Sequence, residues 1–195
     1  MTDLFIKVKT QQEQNLPFVI FCKPNSDKIV GLFQRNDHLY FLENLEEKGF
    51  VFAPFDGEKF VLIPENNATV LVENYEKKPE AIISELSEEI NFSAKENFEN
   101  LVQRGIDAIH SEEFKKVVLS RSEEVLLAEF DFIETFQHLV QLYPATFCYC
   151  FFHPKIGLWM GATPERLLKA NGNVFETVAL AGTQKATLET DILWQ

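Results

Sequence analysis

The chain has 195 residues, 46% hydrophobic and 25% charged, with a formal net charge of −12 and 19 phenylalanines. Without a lysine–arginine stripe, that acidity excludes a nucleic-acid partner and fits poorly with an anionic membrane surface. No apolar run reaches the ~20 residues a membrane helix needs and no signal peptide is read at the start, so a soluble, cytoplasmic globular protein with a thick aromatic core is expected.

Up to about Glu73 the chain is dense in short strand signals. Phe18–Phe21, Ile29–Phe33, His38–Leu42, Phe50–Phe52, Lys59–Ile63 and Thr69–Val72 are the expected strands. Turn residues separate them at Pro24–Asp27, Arg35–Asp37 and Asp56-Gly57, which reads as an antiparallel meander. Pro79 is expected to open a short helix ending near Ile90. Ser93 followed by Glu96 has capping-box spacing, and Phe98, Leu101, Val102, Gly105, Ile106 and Ile109 then line one helical face.

Lys115 to Leu127 reads as strand with a polar break at Ser122–Glu124. Asp131 and Glu134 repeat the cap spacing ahead of a second amphipathic helix carrying Phe132, Ile133, Phe136, Leu139, Val140 and Tyr143. Phe147–Phe152 and Leu158–Ala162 are expected strands, and Asn171-Gly172 marks a hairpin joining 166–170 to 174–178. The fold class read from this pattern is α+β, with helices packed outside antiparallel sheets. Two parts are expected: a strand-rich stretch over 1–90, and 91–195.

Cys22, Cys148 and Cys150 lack metal-ligand spacing, and the last two share one face of a strand, so buried reduced thiols are expected. Three other segments carry chemistry. On a strand, Lys116 shares a face with Val118 and Ser120. A lysine that begins an apolar strand is a base candidate if partly desolvated, although its spacing alone more often means an exposed strand end beside Lys115. Glu165 follows Thr163-Pro164, where proline fixes the backbone and holds Thr163 extended. Beside Leu167 and Leu168 it is a general-acid candidate. By itself it reads more often as an exposed glutamate paired with Arg166 or Lys169. Ala181-Gly182-Thr183 is a small-residue turn that lets a ligand approach the backbone.

The three occur in order as Lys116-Val117-Val118-Leu119-Ser120-Arg121, Gly161-Ala162-Thr163-Pro164-Glu165-Arg166-Leu167 and Ala179-Leu180-Ala181-Gly182-Thr183, with Lys116 and Glu165 49 positions apart. Over about Phe114 to Thr183 this resembles the chorismate-binding enzymes, and among them the isochorismate synthases. The resemblance implies that Lys116 activates water to attack C2 of chorismate. It implies that Glu165 protonates the departing C4 hydroxyl, and that Ala181, Gly182 and Thr183 line the substrate.

Ala181 stands where aminodeoxychorismate synthases commonly carry a lysine, and Lys116 is usually lacking in anthranilate synthases, so both branches are disfavoured. Salicylate synthase remains the sister alternative, and neither a menaquinone nor a siderophore pathway is singled out. The resemblance also implies Mg²⁺, with its ligands downstream of the third motif; Glu189 and Asp191 read as solvated surface residues rather than ligands. On these grounds the chain is expected to be the N-terminal part of such an enzyme, cut short at Gln195. As such it is expected to be inactive alone, with self-association through surfaces left open. The reading from another class is a non-catalytic module whose aromatic strands hold a small apolar ligand.

Overall fold

Alternation along Phe18–Cys22 (β1) and Lys28–Gln34 (β2) sends apolar side chains to both faces of an antiparallel pair, with Phe18 opposite Phe33 and Cys22 opposite Ile29. The turn between them places Asn25 at φ 57°, a left-handed conformation that asparagine tolerates. In the computed structural model, residues 2–55, 57–76, 91–127, 129–166 and 168–178 are described. They fall into two compact units, Met1–Pro79 with Asp131–Gln195, and Glu80–Phe130.

In the first unit β2 takes Ala68–Asn74 (β6) as its other neighbour. Strand β1 takes Phe147–His153 (β7), which in turn pairs with Gly157–Thr163 (β8). The sheet order is β6-β2-β1-β7-β8, every pair antiparallel, with strands drawn from both sides of residue 90. Tyr40–Phe41 (β3), Gly49–Phe52 (β4) and Val61–Pro64 (β5) form a second sheet in the order β3-β5-β4.

The six N-terminal strands therefore exist as expected, but their meander does not. Side by side they would leave one apolar face of the wide sheet in water. Folded over it, β5 covers Val19, Leu32 and Phe151 with Val61 and Ile63. Each such side chain contributes about 1.5–3 kcal/mol by burial. The loop that turns the chain over is tied by Gln34, whose Nε2 donates to the carbonyls of Asn36 (2.8 Å) and His38 (2.7 Å).

The opposite face carries Phe18, Ile20, Cys22, Ile29, Phe33, Cys148 and Cys150, and two helices pack on it. Phe132–Leu142 (α3) buries Phe132, Ile133, Phe136 and Val140 there. The side chain of Asp131 caps it as the spacing predicts, accepting from Ile133 N (2.9 Å) and Glu134 N (3.1 Å). Asp3–Glu13 (α1) has no counterpart in the sequence reading. It buries Leu4, Phe5, Val8 and Gln11. Gln11 breaks the apolar period, yet it is 2% exposed, because its Nε2 donates to the carbonyls of Pro17 and Gln34. Glu73 on β6 accepts the otherwise orphaned Leu4 N–H at 2.7 Å.

Lys169–Asn171 (β9) and Val174–Glu176 (β10) form the expected hairpin, one residue out of place. The two turn residues are Gly172 and Asn173, with Gly172 at φ 58° in the first position, where a II′ turn requires glycine. The α+β class, with helices outside antiparallel sheets, is the architecture found. All three cysteines are buried thiols, as expected, and burial pushes Cys150 up to about 12.

In the second unit, Phe92–His110 (α2) is capped by Asn91, whose side chain accepts from Ala94 N at 3.0 Å; the expected cap at Ser93 lies inside the helix. Gly105 is its one buried residue. A β-carbon there would lie 3.3 Å from the side chains of Val117 and Leu119, so glycine lets that segment approach. Phe98, Leu101 and Val102 are half-buried, but Ile106 and Ile109 of the expected face are exposed. The strand expected over Lys115–Leu127 is not formed: among the described residues nothing pairs with it, and Val118 is 82% exposed. Alternation supplies a strand only where a second strand takes its N–H and C=O groups. The helix expected over Pro79–Ile90 lies outside the described residues.

Replacing Asp131 by alanine is expected to lower stability by about 1 kcal/mol in urea unfolding, with Asp131→Asn within a few tenths of the parent.

Candidate functional site

Where β4 lies across the second face of the five-stranded sheet, it leaves a groove of about 690 Å³ within the first unit. Phe21, Phe50 and Phe147 line it, with ring centroids 5.4 Å apart for Phe21–Phe147 and 5.9 Å for Phe21–Phe50. Lys23, Glu65 and Thr163 add polar groups. An apolar lining with a few polar side chains is the usual make-up of a small-ligand cleft. No lone residue on this list signals a site in sequence. The phenylalanines read as strand core, and only the fold shows them facing open space.

Thr163 connects this groove to the second motif. It is the last residue of β8, opposite Phe147, and extended as its following proline requires. Pro164 ends the strand and Glu165 stands two residues beyond the groove wall, exposed. The expected pairing of Glu165 with Arg166 or Lys169 is not found. Both cations instead approach Glu176, each at 3.5 Å, and Glu165 has no ion pair among the described residues. Those surface bridges contribute little. Nor do leucines enclose Glu165: Leu168 is 59% exposed, and Leu167 is outside the described residues.

Lys116 belongs to the second unit. It is exposed, the commoner outcome of its spacing, but in a stretch without regular structure between α2 and Asp131 rather than at a strand end. Its neighbours Val117 and Leu119 are the residues that meet α2 at Gly105. The structure thus brings Thr163 and Glu165 to one corner of the first unit. Ala181, Gly182 and Thr183 lie outside the described residues, as do Glu189 and Asp191. The Mg²⁺ that the motifs imply finds no fitting ligand set among the described residues, where no group of three or more His, Cys, Asp or Glu is placed to hold a metal. No helix among them is long and apolar enough to cross a membrane.

His153, the end of β7, is the buried imidazole of this unit and is 1% exposed. Its Nδ1 accepts from Lys155 N at 3.1 Å and its Nε2 faces the His38 carbonyl at 3.5 Å, which assigns the neutral Nε2–H tautomer. Burial holds its pKa below the ordinary value. Lys155 and the His38 ring act in the same direction, while the His38 carbonyl and Asp37 oppose them. Burial likewise raises Tyr149.

The family profile described as chorismate binding enzyme matches residues 57–191. No curated protein and no solved structure matches the chain.

A neutral histidine buried in this way links stability to pH. Its folded pKa lies below the unfolded value near ~6.5, so the unfolded chain takes up the proton first as pH falls. The stabilisation is present above that value and is lost as pH drops through the folded pKa. Urea midpoints are expected to fall between pH 7.5 and pH 5, and to fall less in His153→Gln.

Proposed function

This chain belongs to the chorismate-binding enzyme family, and we propose that it serves as an isochorismate synthase. The observation that carries the reading is the profile match over 57–191, which contains the Lys116 segment, the Gly161–Arg166 segment and the Ala181-Gly182-Thr183 turn in their expected order.

In this reading Lys116 takes a proton from water as it attacks C2 of chorismate. Both ring double bonds shift by one position, which breaks the C4–O bond, and Glu165 gives a proton to the C4 hydroxyl as it leaves. One water enters and one departs, so the product is an isomer. A base that must shed its proton and an acid that must hold one belong on opposite ends of the conjugated diene. Pro164 serves the acid by removing backbone freedom beside it. Thr183 and the Gly182 backbone contribute hydrogen bonds to the substrate in this scheme.

A second reading is favoured by the aromatic groove itself, which has the size and lining to hold a small apolar ligand without turnover.

The test incubates the protein with chorismate and Mg²⁺, with products identified by mass spectrometry. Isochorismate is expected, reduced by about a hundredfold or more in Lys116→Ala and in Glu165→Gln. Salicylate with pyruvate, or an ammonia-dependent amino product, would move the assignment to a sister enzyme. No conversion and no chorismate binding, alongside saturable uptake of an apolar probe, would replace it with the binding-module reading.

A further inference from the structure

Strand β8 ends in the corner that carries Glu165, and among the described residues it has a strand neighbour on one side only, β7. An edge strand is held more weakly than a central one, so its last residues need another restraint if a side chain just beyond them is to keep its place. The register puts Tyr149 of β7 directly opposite Gly161 of β8, two residues before Thr163.

Gly161 is bare for a reason. A β-carbon built on it would lie 2.8 Å from Cε1, 3.0 Å from the hydroxyl oxygen and 3.1 Å from Cζ of Tyr149. The tyrosine ring therefore lies across the backbone of Gly161, in the space that any other residue would fill. It packs against the rings of Phe50 and Phe52 on β4, at centroid distances of 6.2 and 6.1 Å. The ring also lines the groove, so a side chain at Gly161 would push it off the strand toward that space. Its hydroxyl makes no hydrogen bond among the described residues, so the ring and not the hydroxyl supplies the restraint. The alternative use of Gly161, a left-handed turn, does not apply: its φ is not positive, and it sits inside a regular strand. What glycine supplies here is room.

The geometry points to Tyr149 as a positioning residue for Glu165: its ring, laid on the bare backbone of Gly161 and backed by Phe50 and Phe52, clamps the end of edge strand β8 and fixes the Thr163-Pro164-Glu165 corner. This rests on the reading of Glu165 as the acid that protonates the leaving hydroxyl. The clamp transmits no charge. It limits how far the carboxyl wanders from one place, and small misplacements of a catalytic group are costly.

The test compares Gly161→Ala, Tyr149→Phe and the double variant Gly161→Ala/Tyr149→Ala with the parent and with Glu165→Gln. It measures kcat, KM and the pH profile of kcat with chorismate, and backbone amide exchange over residues 162–166. Gly161→Ala forces the ring off the strand. It is expected to lower kcat about tenfold or more with KM little changed, to move the acid-dependent limb of the pH profile, and to speed exchange over 162–166. Tyr149→Phe keeps the ring and is expected to retain at least about half of kcat. The double variant removes the clash and the ring together and is expected to stay as impaired as Gly161→Ala, since the restraint is the ring itself. If Glu165→Gln abolishes turnover while Gly161→Ala leaves kcat, pH profile and exchange as in the parent, the clamp is overturned and the acid role stands. If Glu165→Gln changes nothing, the acid role is overturned. In that case, and if the parent itself shows no turnover, the clamp is decided by amide exchange alone: fast exchange in Gly161→Ala that persists in the double variant supports it, and exchange that is unchanged, or restored in the double variant, overturns it.

Discussion

The pairing of β1 with β2 on one side and β7 on the other is the constraint from which the larger unit follows. Side chains in a strand alternate strictly, so once Phe18 meets both Phe33 and Phe152, every residue of three strands is committed to a face. One face then presents Phe18, Ile20, Cys22, Cys148 and Cys150, and it is covered by helices α1 and α3. The other presents Val19, Phe21, Phe151 and Tyr149, and the small sheet folds over it. A slip of one residue in β7 would carry both cysteines to the wrong face and expose Phe151. It would also remove Tyr149 from Gly161.

The groove and the motif corner are consequences of the same alternation. Phe147, Tyr149 and Phe151 are successive residues of one face. Phe151 is sealed under β4 and β5 and Phe147 borders open space, while Tyr149 between them lies over glycine. On the partner strand, Trp159, Gly161 and Thr163 run opposite them. The residue that must be small and the residue that reaches the groove are thus fixed by the same register. Proline then stops the strand, and the carboxylate falls just outside. A rigid sheet with a short, stiff exit positions a side chain better than a long loop does.

Much of this was legible in one dimension because the signals are local. The cap from Asp131 to Ile133 and Glu134 needs only four residues, and so it was found where its spacing put it. The same pattern at Ser93 misled, since Asn91 two residues earlier offers an equally good acceptor and the helix begins there. Helix α1 was invisible for a different reason. Its fourth inward position is Gln11, which reads as polar and is buried only because carbonyls of Pro17 and Gln34 wait for it. The strand expected at Lys115–Leu127 shows the opposite error. Its apolar run is real, but nothing among the described residues supplies a partner.

By itself the sequence determined the α+β class, the places of ten strands and of two helices, the buried thiols, and the family through three short motifs in order. Each depends on periodicity, capping or residue identity over a few positions, and such physics acts within the local chain. Tertiary structure decided which strands are neighbours, that β3 to β5 cover a face instead of extending a meander, and that Gln11 and His153 are buried. Those outcomes depend on how much apolar surface the whole unit can hide. That quantity is a sum over segments distant in sequence, and no window of the chain contains it.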